Sequence, residues 1–428
     1  MRVLVCFAIL TALGVAQNVL IKDLDRVHTA TGASIAGASI LIRDGKIAAL
    51  GRDVKAPDGV TVKEIDGTGL HASPGIIDAH SHIASTGGLN EGSHAITCEV
   101  RVVDVLNAED RTIYRALAGG CTAAHVMHGS ANVIGGQNQI IKLKWKKSVE
   151  EMVVKDAPRT VKFALGENPK RSNSRGRRQV ATRRFPTSRM GVEALLREAF
   201  ETARRYRAAW KEHEQKVSAG KNSIPPRRDL RKEALVDILE GRLKVHCHCY
   251  RADEILMILQ IAETYGFKVS VLHHVLEGYK VAPEIAAHGA GAATFTDWWG
   301  YKMEAYDAVP YNAAILHKNG VIVTIKSDSS DQIRRLNSEA GKAVKYGGLS
   351  SLEALRLVTS NAAKQLGIDH RTGSLKVGLD GDVALWSGDP LATTTRCEMT
   401  LVEGEVYFHR KQDLEKRGAH ERVLGGGK

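Results

Sequence analysis

The run Pro74-Gly75-Ile76-Ile77-Asp78-Ala79-His80-Ser81-His82 is a short apolar strand that ends in ionisable side chains. On an extended chain, residues two apart face the same side, so Asp78, His80 and His82 share one face. Two imidazoles so placed can hold one cation at their bare nitrogens, given further ligands from elsewhere. A His-x-His pair alone is a weak signal, because such pairs also sit satisfied in ordinary cores. The weight therefore falls on what stands at the ends of the other strands.

Seven further apolar runs follow. They are Cys121-Thr122-Ala123-Ala124, Gln139-Ile140-Ile141, Val161-Lys162-Phe163-Ala164-Leu165, Leu243-Lys244-Val245, Val269-Ser270-Val271-Leu272, Ala292-Ala293-Thr294-Phe295 and Val321-Ile322-Val323-Thr324-Ile325. Most are separated by helical patterns, such as Ala252 to Tyr265 and Ser351 to Gln365. Alternating strands and helices with eight strands predict an α/β fold, a (β/α)8 TIM-type barrel over 74–365. A doubly wound open sheet is the rival, but no Gly-x-Gly-x-x-Gly follows the first strand. Outside the barrel the texture changes to short strands and turns. Asp44-Gly45 lies between Ile40-Leu41-Ile42 and Ile47-Ala48-Ala49-Leu50, a hairpin signal, and Glu403-Gly404 repeats it near the other end. Residues 17–73 and 366–410 are thus expected to form one small β-sandwich from both termini. The charged, then Gly-rich, tail at 411–428 reads as a helix stub and a loose end.

The chain has 428 residues, formal net charge +12, and ordinary globular composition. Arg2 and the apolar stretch Val3 to Val15, closed by small residues before Gln17, predict a cleaved export signal at 1–16 and a secreted or periplasmic protein. No later apolar run reaches the roughly 18 residues of a membrane span. Five scattered cysteines remain after the signal, an odd number and no disulfide framework. Much of the positive excess lies between Lys170 and Lys232, including Arg175-Gly176-Arg177-Arg178. It lacks the interleaved aromatics of an RNA or single-strand reader, so no nucleic-acid partner is expected. A solvated, basic helical insertion at about 170–232 is the favoured reading. The composition leaves a homo-oligomer open.

The strand ends supply the missing weight. Glu167 follows the fourth run, His246 and His248 close the fifth, His273 and His274 close the sixth, and Asp328 follows the eighth. In a barrel, those are the positions of catalytic groups. Here the sequence resembles the amidohydrolase superfamily, in the group related to imidazolonepropionases and prolidase-like enzymes. The resemblance rests on Pro74 to His82, Ala164-Leu165-Gly166-Glu167-Asn168, His248-Cys249-Tyr250-Arg251-Ala252-Asp253-Glu254, His274-Val275-Leu276-Glu277-Gly278-Tyr279-Lys280, Ser327-Asp328 and Gly381 to Trp386. It implies a divalent metal centre, zinc and two ions by expectation, at the barrel mouth. His80 and His82 would be the first-strand ligands. Glu167 would stand where relatives place a bridging carboxylated lysine or glutamate. His248 and His274 would follow from the fifth and sixth strands, with His246 and His273 as their rivals. Asp328 would contact metal and act as general acid/base.

A metal so held lowers the pKa of water to about 7 and polarises a carbonyl, while Asp328 moves the proton to the leaving nitrogen. The expected function is hydrolysis of a non-peptide C–N bond, such as a cyclic amide, in a small-molecule substrate. A prolidase-like metallodipeptidase is the alternative, and a catalytically idle barrel used for binding is a third. Gln137, after a Gly-rich loop, and Tyr279 and Lys280, after the sixth strand, are candidate substrate contacts. Trp298-Trp299 is a candidate pocket wall. His94, His125 and His128 read as supporting or core residues. Lys326, beside Asp328, has no role in this scheme.

Overall fold

A computed structural model describes residues 18–171 and 184–425. The expected export signal and the Arg175–Arg178 stretch lie outside them. Among the described residues the strands form two sheets of eight.

The first sheet comes from both ends of the chain. It contains β1 (Val19–Val27), β2 (Ile35–Arg43), β3 (Lys46–Gly51), β4 (Lys63–Asp66) and β5 (His71–Pro74). The second sheet follows: β6 (Ile76–Ser81), β7 (Cys121–Val126), β8 (Ile134–Lys142), β9 (Thr160–Ala164), β10 (Lys244–Cys249), β11 (Val269–His274), β12 (Gly291–Thr294) and β13 (Val323–Ile325). β14 (Val383–Trp386), β15 (Cys397–Val402) and β16 (Glu405–His409) then rejoin the first sheet. Its order is β16-β15-β14-β5-β1-β2-β3, with β4 beside β1. Asp44 and Gly45 both have positive φ, 50° and 77°, as a tight hairpin between β2 and β3 requires. Val19, Ile21, Ile40, Ile42, Leu385 and Leu401 form its buried core. The terminal domain is thus one continuous hydrogen-bonded sheet shared by both termini.

The chain enters the barrel across Gly75. A Cβ there would lie 2.1 Å from Thr122 Oγ1, so only glycine lets the strand change sheets at this point. The barrel order is β6 through β13 in sequence. All eight apolar runs are strands of it. One departs from the eight parallel strands of a regular (β/α)8 barrel: β8 pairs antiparallel with both β7 and β9. The short connection from Val126 to Ile134 cannot hold a crossover helix, so the third strand must return as a hairpin. β6 and β13 close the barrel through side chain and loop. The Asp328 N–H donates to the His80 carbonyl at 2.9 Å, and Ser327 donates its N–H and hydroxyl to Asp78 at 3.0 and 2.5 Å. Asp78 is fully buried, which raises its carboxyl pKa to about 6 against the opposing pull of Ser327.

The basic insertion is only partly solvated. The helix Arg189–Ser218 buries Val192, Leu196, Phe200 and Ala203 along its first half, and Phe200 stacks on Phe267 at 4.5 Å. Its second half carries no buried residue. A groove of about 1010 Å³ lies there, away from the barrel mouth. Two of its arginines, Arg228 and Arg242, are already paired with Glu233 and Asp237. The tail forms the helix Arg410–Gly425, longer than a stub, and Asp413 accepts a hydrogen bond from Tyr114 at 2.9 Å. No helix of the described residues is long and apolar enough to cross a membrane.

Candidate metal centre

β6 points Asp78 and His80 into the barrel, and His82 stands just past its end. His80 is fully buried. Its Nε2 lies 3.1 Å from Lys162 Nζ and 3.5 Å from Asp328 Oδ1. His82 donates Nδ1–H to the Met127 carbonyl at 2.8 Å, which leaves Nε2 bare and 3.0 Å from Asp328 Oδ1. His80, His274 and Asp328 offer ligand atoms that all lie within 4.8 Å of one another.

Two residues reach this point through backbone that L side chains rarely adopt. His274 has φ 68° and Asp328 has φ 52°. Such conformations cost about 1–3 kcal/mol each and cluster at functional sites. At His274 the consequence is visible. Neighbours on a strand face opposite sides, yet both His273 and His274 lie against His80, with ring centroids 4.8 and 5.1 Å away. Tyr250 stacks on His274 with centroids 5.0 Å apart and planes 3° from parallel.

Two buried nitrogens, His248 Nε2 and His274 Nε2, have no hydrogen-bond partner. Unsatisfied buried polar atoms are rare and ask for an explanation, which a bound ion provides. His248 is aimed by Ser130, whose Oγ is 2.8 Å from Nδ1. If Ser130 accepts the Nδ1–H, the lone pair stays on Nε2. Ser130→Ala is expected to weaken zinc retention about 10-fold in a chelator competition. Unchanged retention would remove Ser130 from this role.

Burial and the charge of nearby lysines keep the site's buried imidazoles neutral. The pKa values of His80, His248 and His274 are driven well below the ordinary imidazole value by burial first and the nearby lysines second. Burial lowers Lys162 to about 8 and Lys326 to about 7. Burial pushes the Asp328 carboxyl up, but the charge of Lys326 outweighs it and holds the group ionised. A set of neutral imidazoles around an ionised carboxylate is the donor set that a divalent cation such as zinc takes.

The residues expected from sequence separate into two groups. His80, His82, His248, His274 and Asp328 converge at the barrel mouth. Glu167 stands outside the His80–His274–Asp328 group. It begins the helix Glu167–Arg171, beyond the end of β9, and its backbone N–H is bound by Glu304 at 2.9 Å. The side chain that β9 does send inward is Lys162. Its signal was a lysine inside an otherwise buried strand. Gln137 is carried away from the mouth because β8 runs in reverse; its amide binds the Cys98 carbonyl at 2.9 Å and receives Arg159 at 3.1 Å. Tyr279 and Lys280 instead fasten the loop after β12, through the Asp307 carbonyl at 3.0 Å and carboxylate at 2.6 Å. Trp298 stacks on Phe295 at 4.3 Å, and Phe295 lies 5.3 Å from the His274 ring. Lys326 now has a place. Its Nζ is 2.5 Å from His274 Nδ1 and 3.7 Å from Asp328 Oδ2. A pocket of about 300 Å³ opens above the centre, lined by His82, Asn90, Ser130, Asn168, His248, Tyr250 and Asp328 among others. Asn90 had no motif to reveal it, whereas Ser130 lies in the Gly-rich loop before Gln137 and Asn168 closes the Ala164–Asn168 motif; separate segments bring the three together.

The family model of the amidohydrolase family matches residues 310–407. A crystal structure of an amidohydrolase from Thermotoga maritima is 31% identical, with a TM-score of 0.81 over 92% of this chain and 100% of that one. The amidohydrolase tasK of Hapsidospora irregularis is 31% identical over 82% of this chain, which spans only 38% of the length of that relative. An imidazolonepropionase of Shewanella oneidensis is 23% identical over 86% of this chain and 91% of its own.

Proposed function

Because this chain belongs to the amidohydrolase family, hydrolases of carbon–nitrogen bonds that typically depend on metal, we propose that it hydrolyses a non-peptide C–N bond, such as that of a cyclic amide. The observation that carries the reading is the convergence of His80, His274 and Asp328 within 4.8 Å beside two unpartnered imidazole nitrogens. His80, His82 and Asp328 would hold one ion, zinc first among the choices, and His248 and His274 a second. Lys162, whose Nζ stands 3.1 Å from His80 Nε2, would take the place of Glu167 among the groups that hold the ions, its neutral amine adding to CO2 and losing a proton to give a carbamate.

When bound, a divalent cation supplies Lewis acidity, bringing the pKa of water to about 7 and polarising the scissile carbonyl. The rest falls to the chain. Asp328, 26% exposed at the side chain, faces the pocket and takes the proton of the attacking water. It then delivers that proton to the departing nitrogen, so that an amine leaves rather than an amide anion. Asn90, Asn168 and Ser130 orient a polar substrate, and Tyr250 walls it from the barrel interior.

A small, uncharged substrate is favoured over a dipeptide. Among the described residues, no arginine or lysine lines the pocket. Lys302, near Asn168, is paired with Glu304 at 2.8 Å. Arg189 is spent on Glu254 and Glu304. A peptide carboxylate would need such a cation. The apolar opening segment supports export to a periplasm or the cell exterior.

The test is turnover by the zinc-loaded protein of hydantoins, lactams and imidazolones beside X-Pro dipeptides. Turnover of the cyclic amides, abolished by chelation and restored by zinc, is the expected result. Turnover of dipeptides alone would replace this reading with the metallodipeptidase. A protein that takes up no metal and gains no activity with it would leave only a binding function.

A further inference from the structure

The imidazoles that are not ligands in this scheme form a chain below the site. His80 Nδ1 lies 3.1 Å from His273 Nδ1, and His273 Nε2 lies 2.9 Å from His246 Nδ1. All three rings are buried. β10 and β11 set this geometry: they run parallel, with His248 opposite His273, and His246 one inward position below His248. The positive φ of His274 frees His273 to stay inside.

We infer that His273 and His246 are positioning residues that fix which nitrogen of His80 is free to bind a cation, an inference that rests on the metal reading above. A neutral imidazole carries one hydrogen, and its other nitrogen accepts. For His80 to present a bare Nε2, its hydrogen must sit on Nδ1. That hydrogen points at His273 Nδ1, which must then accept. The hydrogen of His273 is thereby placed on Nε2 and donated to His246 Nδ1, and the hydrogen of His246 falls to its own Nε2. The reverse order places the hydrogen on His80 Nε2 and closes that nitrogen to a cation. The tautomers of the three rings are one variable, set along one line of hydrogen bonds.

Lys162 biases the same order before any ion arrives, since an N–H donated from Nζ to His80 Nε2 also keeps the His80 hydrogen on Nδ1. The lower end of the chain is held by packing. The His246 ring meets His125 edge-on at 4.7 Å, and His125 Nε2 is 2.8 Å from Thr160 Oγ1. Partners that orient a metal-bound histidine this way raise its donor strength, and losing them costs about 10–100-fold in metal affinity.

The experiment uses the full chain. Zinc affinity is measured by chelator competition for the wild type, His273→Leu, His273→Asn and His80→Ala, and the imidazole nitrogens of the zinc-loaded wild type are assigned by 15N NMR. His273→Leu is expected to weaken zinc binding about 10–100-fold. His273→Asn, whose Oδ1 can still accept from His80 Nδ1–H, should recover most of it. The NMR spectra should show the hydrogen on Nε2 of both His273 and His246. A folded His273→Leu protein with wild-type zinc affinity would overturn the inference. So would a hydrogen on His273 Nδ1, a readout that stands even if the variants do not fold. If His80→Ala binds zinc as the wild type does, the metal reading itself falls and takes this inference with it. If His80→Ala loses zinc while His273→Leu does not, only the positioning role is lost.

Discussion

Asp328→Asn should lower turnover by about 10²–10⁴-fold while leaving the fold and most of the metal in place. The amide is nearly the same size as the carboxylate but cannot accept a proton, so it removes the transfer step and little else. Asparagine also tolerates the positive φ of 52° at this position, which alanine would strain. The N–H of residue 328 would still donate to the His80 carbonyl and keep the β6–β13 seam shut. His80→Ala should behave in the opposite order. It removes a ligand at the centre of the cluster, so metal content falls first and activity falls with it. Metal analysis beside steady-state kinetics on the two variants separates the roles. Unchanged turnover in Asp328→Asn would remove Asp328 as the acid/base.

Breaking the buried ion cluster between barrel and terminal sheet should cost about 3–5 kcal/mol of stability. Lys142, at the end of β8, is buried and contacts Asp382 and Asp380, the latter at 3.0 Å. Arg371 joins the same cluster through Asp380 at 3.1 Å and Glu403 at 3.3 Å. Asp382→Ala would leave the buried Lys142 ammonium short of its closest partner, which is why the loss exceeds that of a surface pair. Chemical denaturation measures it, and a change below about 1 kcal/mol would mean that the cluster contributes no more than a surface pair. The pH dependence has a definite sign. Burial opposes the charge on Lys142, but Asp382 and Asp380 outweigh it and hold its pKa above 10.5. Burial raises Asp380, but Lys142 and the other cations outweigh it and hold its pKa below 3.8. The lysine contribution is therefore complete below 10.5 and fades as pH rises through the folded value. The aspartate contribution is complete above 3.8 and fades as pH falls through the folded value. Both are present at neutral pH, and the variant should lose its deficit relative to wild type as pH rises through the folded Lys142 value.

The candidate ligands were legible wherever one strand carries its own information. Alternation on an extended chain put His80 and His82 on one face, and the apolar runs ended where His248, His274 and Asp328 stand. Both hairpins, at Asp44-Gly45 and Glu403-Gly404, were legible because Gly45 and Gly404 readily take the φ above zero that such turns need. The place of Glu167 was not legible, because a helix begins after β9 and carries residue 167 out of the strand's line. The place of Gln137 was not legible either, because a short connection reversed β8, and direction is a property of pairing rather than of composition.

What the sequence determined alone was therefore local: which segments extend, where they turn and which ionisable groups stand at their ends. What tertiary structure decided was convergence. Lys162 became a partner of His80, Asn90 and Asn168 became opposite parts of one pocket, and His273 and His246 became a chain, because closing the barrel brings eight separate strands to a common axis. His274 shows the boundary between the two. The pair His273-His274 is written in the sequence, but the alternation rule admits only one of them to the interior. It took a strained backbone, held by the surrounding barrel, to admit both.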